Sequence, residues 1–262
     1  EWGTEKFRQV LQDEYLGYAL ADGPAAPRPT TPGDHVGVHR QKDGRFYVGV
    51  TPIVGRVSGE TLTRLAEIAE AHGSNRLRTT PHQKIVVLDV PEEHVDPLIA
   101  ELDALGLQAR PSLLRRGTIA CTGIEFCKLA IVETKVNATA AVLDLEERLK
   151  GFELPHPISL HVNGCPNSCA RIQTADIGLK GQLVTIDDEQ VPGYQVHLGG
   201  GLASQDRDDP GLGRTVRGLK VAADGIADYV ERVVTRFLAD RDAAADETFA
   251  QWAHRADEEA LQ

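Results

Sequence analysis

No methionine, no long apolar run and no cysteine beyond four occur among these 262 residues. A membrane-spanning helix needs about 18 or more consecutive apolar residues, and no stretch approaches that. With no signal-peptide core either, the chain is expected to be soluble and cytoplasmic. Positive charge is in short supply: 28 Lys and Arg stand against 39 Asp and Glu, a net charge of −11. That balance argues against non-specific nucleic-acid binding. No G-x-G-x-x-G follows a strand-like run, so direct use of a nicotinamide or flavin dinucleotide is not expected. Without methionine the sequence as written has no initiator residue, and a piece of a longer protein is the expectation.

The four thiols fall in two tight pairs, Cys121-Thr-Gly-Ile-Glu-Phe-Cys127 and Cys165-Pro-Asn-Ser-Cys169, with 37 residues between them. Paired disulfides suit a small secreted domain, whereas a chain of this length can bury a sizeable core without them. Four thiolates can hold a 4Fe–4S cluster or a structural zinc ion. Zinc motifs favour tighter spacing and small knuckles. One-electron redox chemistry on a cluster therefore stands first, and spacing alone leaves zinc open. Pro166 fixes one φ angle, Gly164 and Gly123 ease sharp turns, and small Ser168 leaves room for a bulky inorganic core. Backbone N–H groups in both loops could face the negative charge of such a centre. Lys128 and Arg171 follow the second cysteine of each pair, either as charge partners or as plain solvated surface.

Along the chain, residues 5–20 read as a short amphipathic helix carrying Phe7, Val10, Leu11 and Tyr15. Four prolines within residues 22–32 then mark a stiff linker. Strands over residues 35–39 and 46–50, a helix from Ser58 to Gly73, a strand over residues 84–90 and a helix over residues 92–105 give the order ββαβα. That order suits a sheet with helices on one face, a ferredoxin-like half-domain in the topological sense. Residues 127–150 predict a long helix burying Val132, Val136, Val142, Leu145 and Leu149. A strand over residues 158–162 runs into the second cysteine pair, and strand-like runs follow at 174–179, 183–186 and 194–198. Ile226, Tyr229, Val230, Val233, Val234, Phe237 and Leu238 form the core stripe of a closing helix. Phe249 and Trp252 are expected to anchor an otherwise acidic tail.

Residues 118–200 resemble the C-terminal half of the siroheme-dependent nitrite and sulfite reductases, of the ferredoxin-dependent type. The likeness rests on Ala120-Cys-Thr-Gly-Ile-Glu-Phe-Cys-Lys-Leu-Ala-Ile-Val-Glu-Thr-Lys135, Val162-Asn-Gly-Cys-Pro-Asn-Ser-Cys-Ala-Arg171 and Tyr194-Gln-Val-His-Leu-Gly-Gly200. Arg76-Leu-Arg-Thr-Thr-Pro-His-Gln-Lys84 also resembles the start of a strand in that family's second repeat.

The resemblance implies an α+β chain, with an N-terminal helix and linker (1–34), the family's ferredoxin-like half-domain (35–110) and an α/β domain binding 4Fe–4S and siroheme (111–262). Cys121, Cys127, Cys165 and Cys169 would ligate the cluster, with Cys169 also the axial thiolate of siroheme. Asn167 would lie against the cofactor, or else stabilise an Asx-type turn. Six single-electron deliveries from ferredoxin would reduce sulfite to sulfide or nitrite to ammonia, the likeness to bacterial assimilatory forms favouring sulfite. A cluster-bearing electron carrier without siroheme is the reading from another class. Siroheme's carboxylates call for cations, and Arg76, Arg78, Arg115, Arg116 and Arg171 are the candidates. His197 and His82 are expected to be satisfied strand histidines rather than metal ligands. The family is built from two related halves, with its catalytic Arg and Lys largely in the first. The missing N-terminal half is therefore an expected partner, and no catalytic residue is assigned here.

Overall fold

The computed structural model describes residues 2–24, 33–186, 188–202 and 211–262. Most of the proline-rich linker, residues 25–32, lies outside them. The N-terminal segment forms α1 (Gly3–Val10) and continues as a π-helical turn, Leu11–Leu16, that Gly17 ends at φ +70°.

The next unit is a four-stranded antiparallel sheet in the order β1-β2-β4-β3, built from β1 (Gly37–Arg40), β2 (Phe46–Val50), β3 (Leu77–Thr79) and β4 (Ile85–Val90). Two helices belong to this unit, α2 (Gly59–Ala71) and α3 (Val95–Ala104). Ser58 caps α2 by accepting the Thr61 N–H, which satisfies one of the helix's orphan donors. Leu65, Ile68, Leu98 and Leu102 pack on Val48, Val50, Val87 and Val90 to make the core of the half-domain. The order is ββαββα, not the expected ββαβα. β3 has only three residues and therefore no readable alternation.

The second unit starts with a one-turn helix, α4 (Leu113–Gly117), and holds a mixed five-stranded sheet, β5-β6-β7-β8-β9. β5 (Thr118–Ala120), β6 (Leu160–Asn163) and β7 (Ile177–Ile186) run parallel; β8 (Glu189–Leu198) and β9 (Lys220–Ala222) complete it antiparallel. The runs expected at 174–179 and 183–186 merge into the single strand β7. α5 (Lys135–Arg148) crosses from β5 to β6, as parallel neighbours require. α6 (Ile226–Asp240) buries its whole apolar stripe except half-buried Leu238. α7 (Phe249–Arg255) follows, and Phe249 and Trp252 pack with Phe237 at centroid distances of 5.4–5.7 Å. The tail is anchored as its aromatics suggest.

The predicted helix over 127–150 is corrected: α5 begins only at Lys135. The N–H groups of Ile131 and Val132 are spent on the Gly164 carbonyl rather than on an i→i−4 ladder. Glu133 then caps the late start, its carboxylate accepting from the N–H groups of Thr134 (2.9 Å) and Lys135 (3.1 Å). Val136 consequently faces solvent instead of the core.

Polar contacts join the two units. Arg116 grips both oxygens of Asp34 (2.5 and 2.8 Å), and Arg56 pairs with Glu125 at 2.6 Å. Buried Lys84 reaches toward the Thr118 carbonyl, and burial pushes its pKa down to about 8. They land around β5 (Thr118–Ala120) and, for Glu125, in the first cysteine loop that follows it.

Candidate metal and cofactor centre

Parallel pairing brings the starts of the two cysteine loops together. Ala120 and Val162, the residues before Cys121 and Asn163, are register partners on β5 and β6. Each cysteine pair therefore leaves the carboxyl end of one of two adjacent parallel strands, where open α/β sheets place their ligands. The two loops also bond directly. Cys121 N–H donates to the Val162 carbonyl at 2.9 Å, and Gly164 N–H donates to Cys121 Sγ at 3.2 Å.

Close approach, rather than a positive φ, is what demands glycine at 164: a Cβ there would lie 2.8 Å from the Val132 carbonyl oxygen. Gly123 is constrained twice, by φ +71° and by Thr134 Oγ1, which would stand 2.6 Å from a Cβ. Thr134 uses that hydroxyl to donate to the Cys121 carbonyl at 2.7 Å.

The second loop is pinned from inside. Fully buried Asn163 donates from Nδ2 to the Cys165 carbonyl (2.7 Å) and accepts the Ala170 N–H on Oδ1 (2.9 Å). Its amide thus clamps both ends of the Cys165–Cys169 loop. Exposed Asn167 makes no side-chain hydrogen bond among the described residues, so the turn-stabilising role weighed for it falls to Asn163. Ser168 (φ +57°) and Arg171 (φ +56°) take left-handed backbone to fold the loop back.

All four thiols are free; Cys165 is buried, Cys121 and Cys127 are half-buried and Cys169 is exposed. Among the described residues no three His, Cys, Asp or Glu side chains gather closely enough to share one ion. By donor chemistry alone, four free thiols are a soft set that a 4Fe–4S cluster can take, one iron to each sulfur.

Residues 39–105 match the family described as "Nitrite/Sulfite reductase ferredoxin-like half domain", and residues 114–262 match "Nitrite and sulphite reductase 4Fe-4S domain". The chain belongs to the nitrite and sulfite reductase family. It is 53% identical over 264 residues to "Sulfite reductase [ferredoxin] 1" of Mycolicibacterium paratuberculosis, covering 100% of this chain and 46% of that protein. "Assimilatory ferredoxin-dependent nitrite reductase" of Haloferax mediterranei is 36% identical over 263 residues, covering 96% of this chain and 44% of that protein. The solved structure titled "Structure of Mycobacterium tuberculosis NirA protein" superposes with a TM-score of 0.89 at 52% identity, over 100% of this chain and 47% of that one. A dissimilatory sulfite reductase structure shares the fold alone, with a TM-score of 0.66 at 13% identity over 91% of this chain and 75% of that one. The chain spans about half the length of the curated relatives it matches.

Of the arginines singled out for a polyanionic cofactor in this family, Arg115 is already committed. It is buried and binds Glu146 through Nε (3.0 Å) and Nη2 (2.5 Å). Arg76 pairs with Asp89 at 2.8 Å and Arg116 with Asp34. Arg171 Nη2 donates to the Pro81 carbonyl at 3.2 Å from the exit of the second cysteine loop, and Arg78 is exposed on β3. His82 is half-buried, and burial and Arg171 push its pKa down. His197 shares a hydrogen bond with the Gly213 backbone, while its Nε2 has no partner among the described residues.

Sequence reasoning gave no role to His161. On β6 it donates from Nδ1 to the Arg171 carbonyl at 3.2 Å, closing the loop's far side. Burial pushes its pKa down to about 4, the Arg171 hydrogen bond opposing and the Arg171, His82 and Lys84 charges adding to the fall. Between an ordinary 6.5 and about 4, the unfolded chain takes a proton that the folded chain refuses. Acidification from pH 7 to pH 5 is therefore expected to remove roughly 2 kcal/mol of stability through this group. In the full-length protein His161→Gln should flatten that part of the pH dependence of the urea midpoint; an unchanged slope would assign the loss elsewhere.

Proposed function

We propose that this chain supplies the cluster ligands and the axial thiolate of a ferredoxin-dependent sulfite reductase. The carrying observation is that two adjacent parallel strands each lead at their carboxyl end into a loop with two free thiols, and the loops touch where Gly164 N–H meets Cys121 Sγ. Cys121, Cys127, Cys165 and Cys169 would hold a 4Fe–4S cluster, and exposed Cys169 would also serve siroheme as its thiolate ligand. When bound, the two groups would supply the one-electron chemistry that a six-electron reduction of sulfite to sulfide requires. Asn163 and Gly164 hold the thiolates in register, and the Gly164 N–H on Cys121 Sγ stabilises negative charge there. Asn167 lies against the cofactor, with Arg171 and Arg78 available to its carboxylates.

The catalytic Arg and Lys that the family resemblance implies would lie largely in the first half of the longer protein, which this chain does not span and which is its first partner. Ferredoxin is the electron donor. Free thiols fit a reducing cytoplasm, and among the described residues no helix is long and apolar enough to cross a membrane. Sulfite is favoured over nitrite because relatives named sulfite reductase stand at 52–53% identity and those named nitrite reductase at 36–39%.

Steady-state turnover of the full-length protein with reduced ferredoxin tests the assignment. Sulfide from sulfite should form with a higher kcat/KM than ammonia from nitrite. Preference for nitrite would overturn the substrate. Purified protein with a cluster but no siroheme absorption band would reduce the chain to an electron carrier.

A further inference from the structure

The seam between the two units holds an unneutralised cation beside the first cysteine. Lys135, the first residue of α5, is half-buried, and its Nζ donates to the Val54 carbonyl and, at 3.4 Å, to Gln83 Oε1. Both acceptors belong to the half-domain side. On the other side, the preceding residue Thr134 clasps the Cys121 carbonyl. No carboxylate pairs with the Lys135 ammonium among the described residues, unlike neighbouring Arg56, which is neutralised by Glu125. Burial pushes the Lys135 pKa down, with the Arg56 charge adding to the fall and the electrostatic pull of Cys121 acting against it.

Gln83 is what holds the ammonium there. β5 is an edge strand, so the Ala120 N–H and C=O on its open side need partners. The Gln83 carboxamide supplies both, donating to the Ala120 carbonyl at 2.6 Å and accepting the Ala120 N–H at 3.1 Å. It does so from a left-handed backbone, φ +58°, which a non-glycine residue adopts only where its surroundings hold it there. Gly55 makes room, since a Cβ there would lie 2.5 Å from Gln83 Cβ. One side chain thus ties the residue before Cys121 to the half-domain and offers the same oxygen to Lys135.

We propose that Lys135, positioned by Gln83 and the Val54 carbonyl, compensates charge at Cys121 and thereby raises the reduction potential of the cluster. This rests on the cluster assignment made above. Reduction adds one electron, taken from the external donor, and hence one negative charge; Lys135 stabilises the added charge and transfers no proton. Net charge and the groups around the sulfurs are the levers a protein has on such a potential. A unit charge in a partly buried setting moves the reduced-to-oxidised ratio by about tenfold, which is about 59 mV for a one-electron couple.

The test is a redox titration of the full-length holoprotein, with the cluster's EPR signal and its iron and sulfide content measured in the same samples. Lys135→Met should hold wild-type iron and sulfide, yet at the wild-type midpoint its reduced-to-oxidised ratio should drop about tenfold. Lys135→Arg should stay near the wild type, and Gln83→Leu should move the potential in the same direction as Lys135→Met. An unmoved midpoint in Lys135→Met with full iron content overturns the proposal. So does loss of the cluster in both Lys135→Met and Lys135→Gln, which would make the residue structural. A wild-type protein without iron defeats the cluster assignment itself, an outcome distinguishable from either.

Discussion

Cys165→Ser in the full-length protein is expected to drop iron and acid-labile sulfide far below wild-type content and to abolish sulfite turnover. Cys165 is the most buried of the four thiols, and its carbonyl is held by Asn163. A serine oxygen there is a harder, shorter donor than a thiolate, in a loop with no slack to compensate. The activity loss should exceed the 10–100-fold cost of removing an outer-shell partner. Cys169→Ser should differ in kind. Cys169, exposed at the end of the loop, is the shared ligand in the function proposed above, so the siroheme absorption band should shift or vanish as well. A Cys165→Ser protein that keeps full iron and sulfide would sink the ligand set.

Chemistry confined to short stretches was legible in the sequence. Two cysteine pairs, each with a local glycine, announced a soft-metal centre, and the stripe on α6 announced its buried face. The residues that hold the centre together were not legible, because their partners lie far along the chain. Gln83 meets Ala120 across 37 positions and Lys135 meets Val54 across 81, and no periodicity encodes such pairs. β5, β9 and α4 have three, three and five residues, too few for a pattern to rise above composition. The overlong helix at 127–150 failed for a related reason. Val132 and Val136 fit a helical period, but the backbone there is consumed by Gly164, a contact only the folded sheet creates. Arg115 was singled out by charge alone, and Glu146, 31 residues away, had already claimed it.

Asn163→Leu should be the most damaging change outside the cysteines. The side chain is fully buried, and Leu keeps its branched shape and heavy-atom count, so the substitution removes the hydrogen bonds while adding some bulk. It strands the Cys165 carbonyl and the Ala170 N–H, each costing about 1–3 kcal/mol when left unpaired inside the protein. A total of roughly 4 kcal/mol is a large part of the 5–15 kcal/mol that holds a typical domain together. The denaturant midpoint of the full-length protein should fall at unchanged m, and cluster content should fall with it, because the clamp spans both ends of the Cys165–Cys169 loop. Asn163→Asp sharpens the comparison. It keeps an acceptor for Ala170 but faces the Cys165 carbonyl with an oxygen in place of a donor, so it should lose stability increasingly as pH rises and the carboxyl ionises. If both variants retain wild-type midpoints and iron, the loop holds its own shape and the register of the two strands alone positions the thiols.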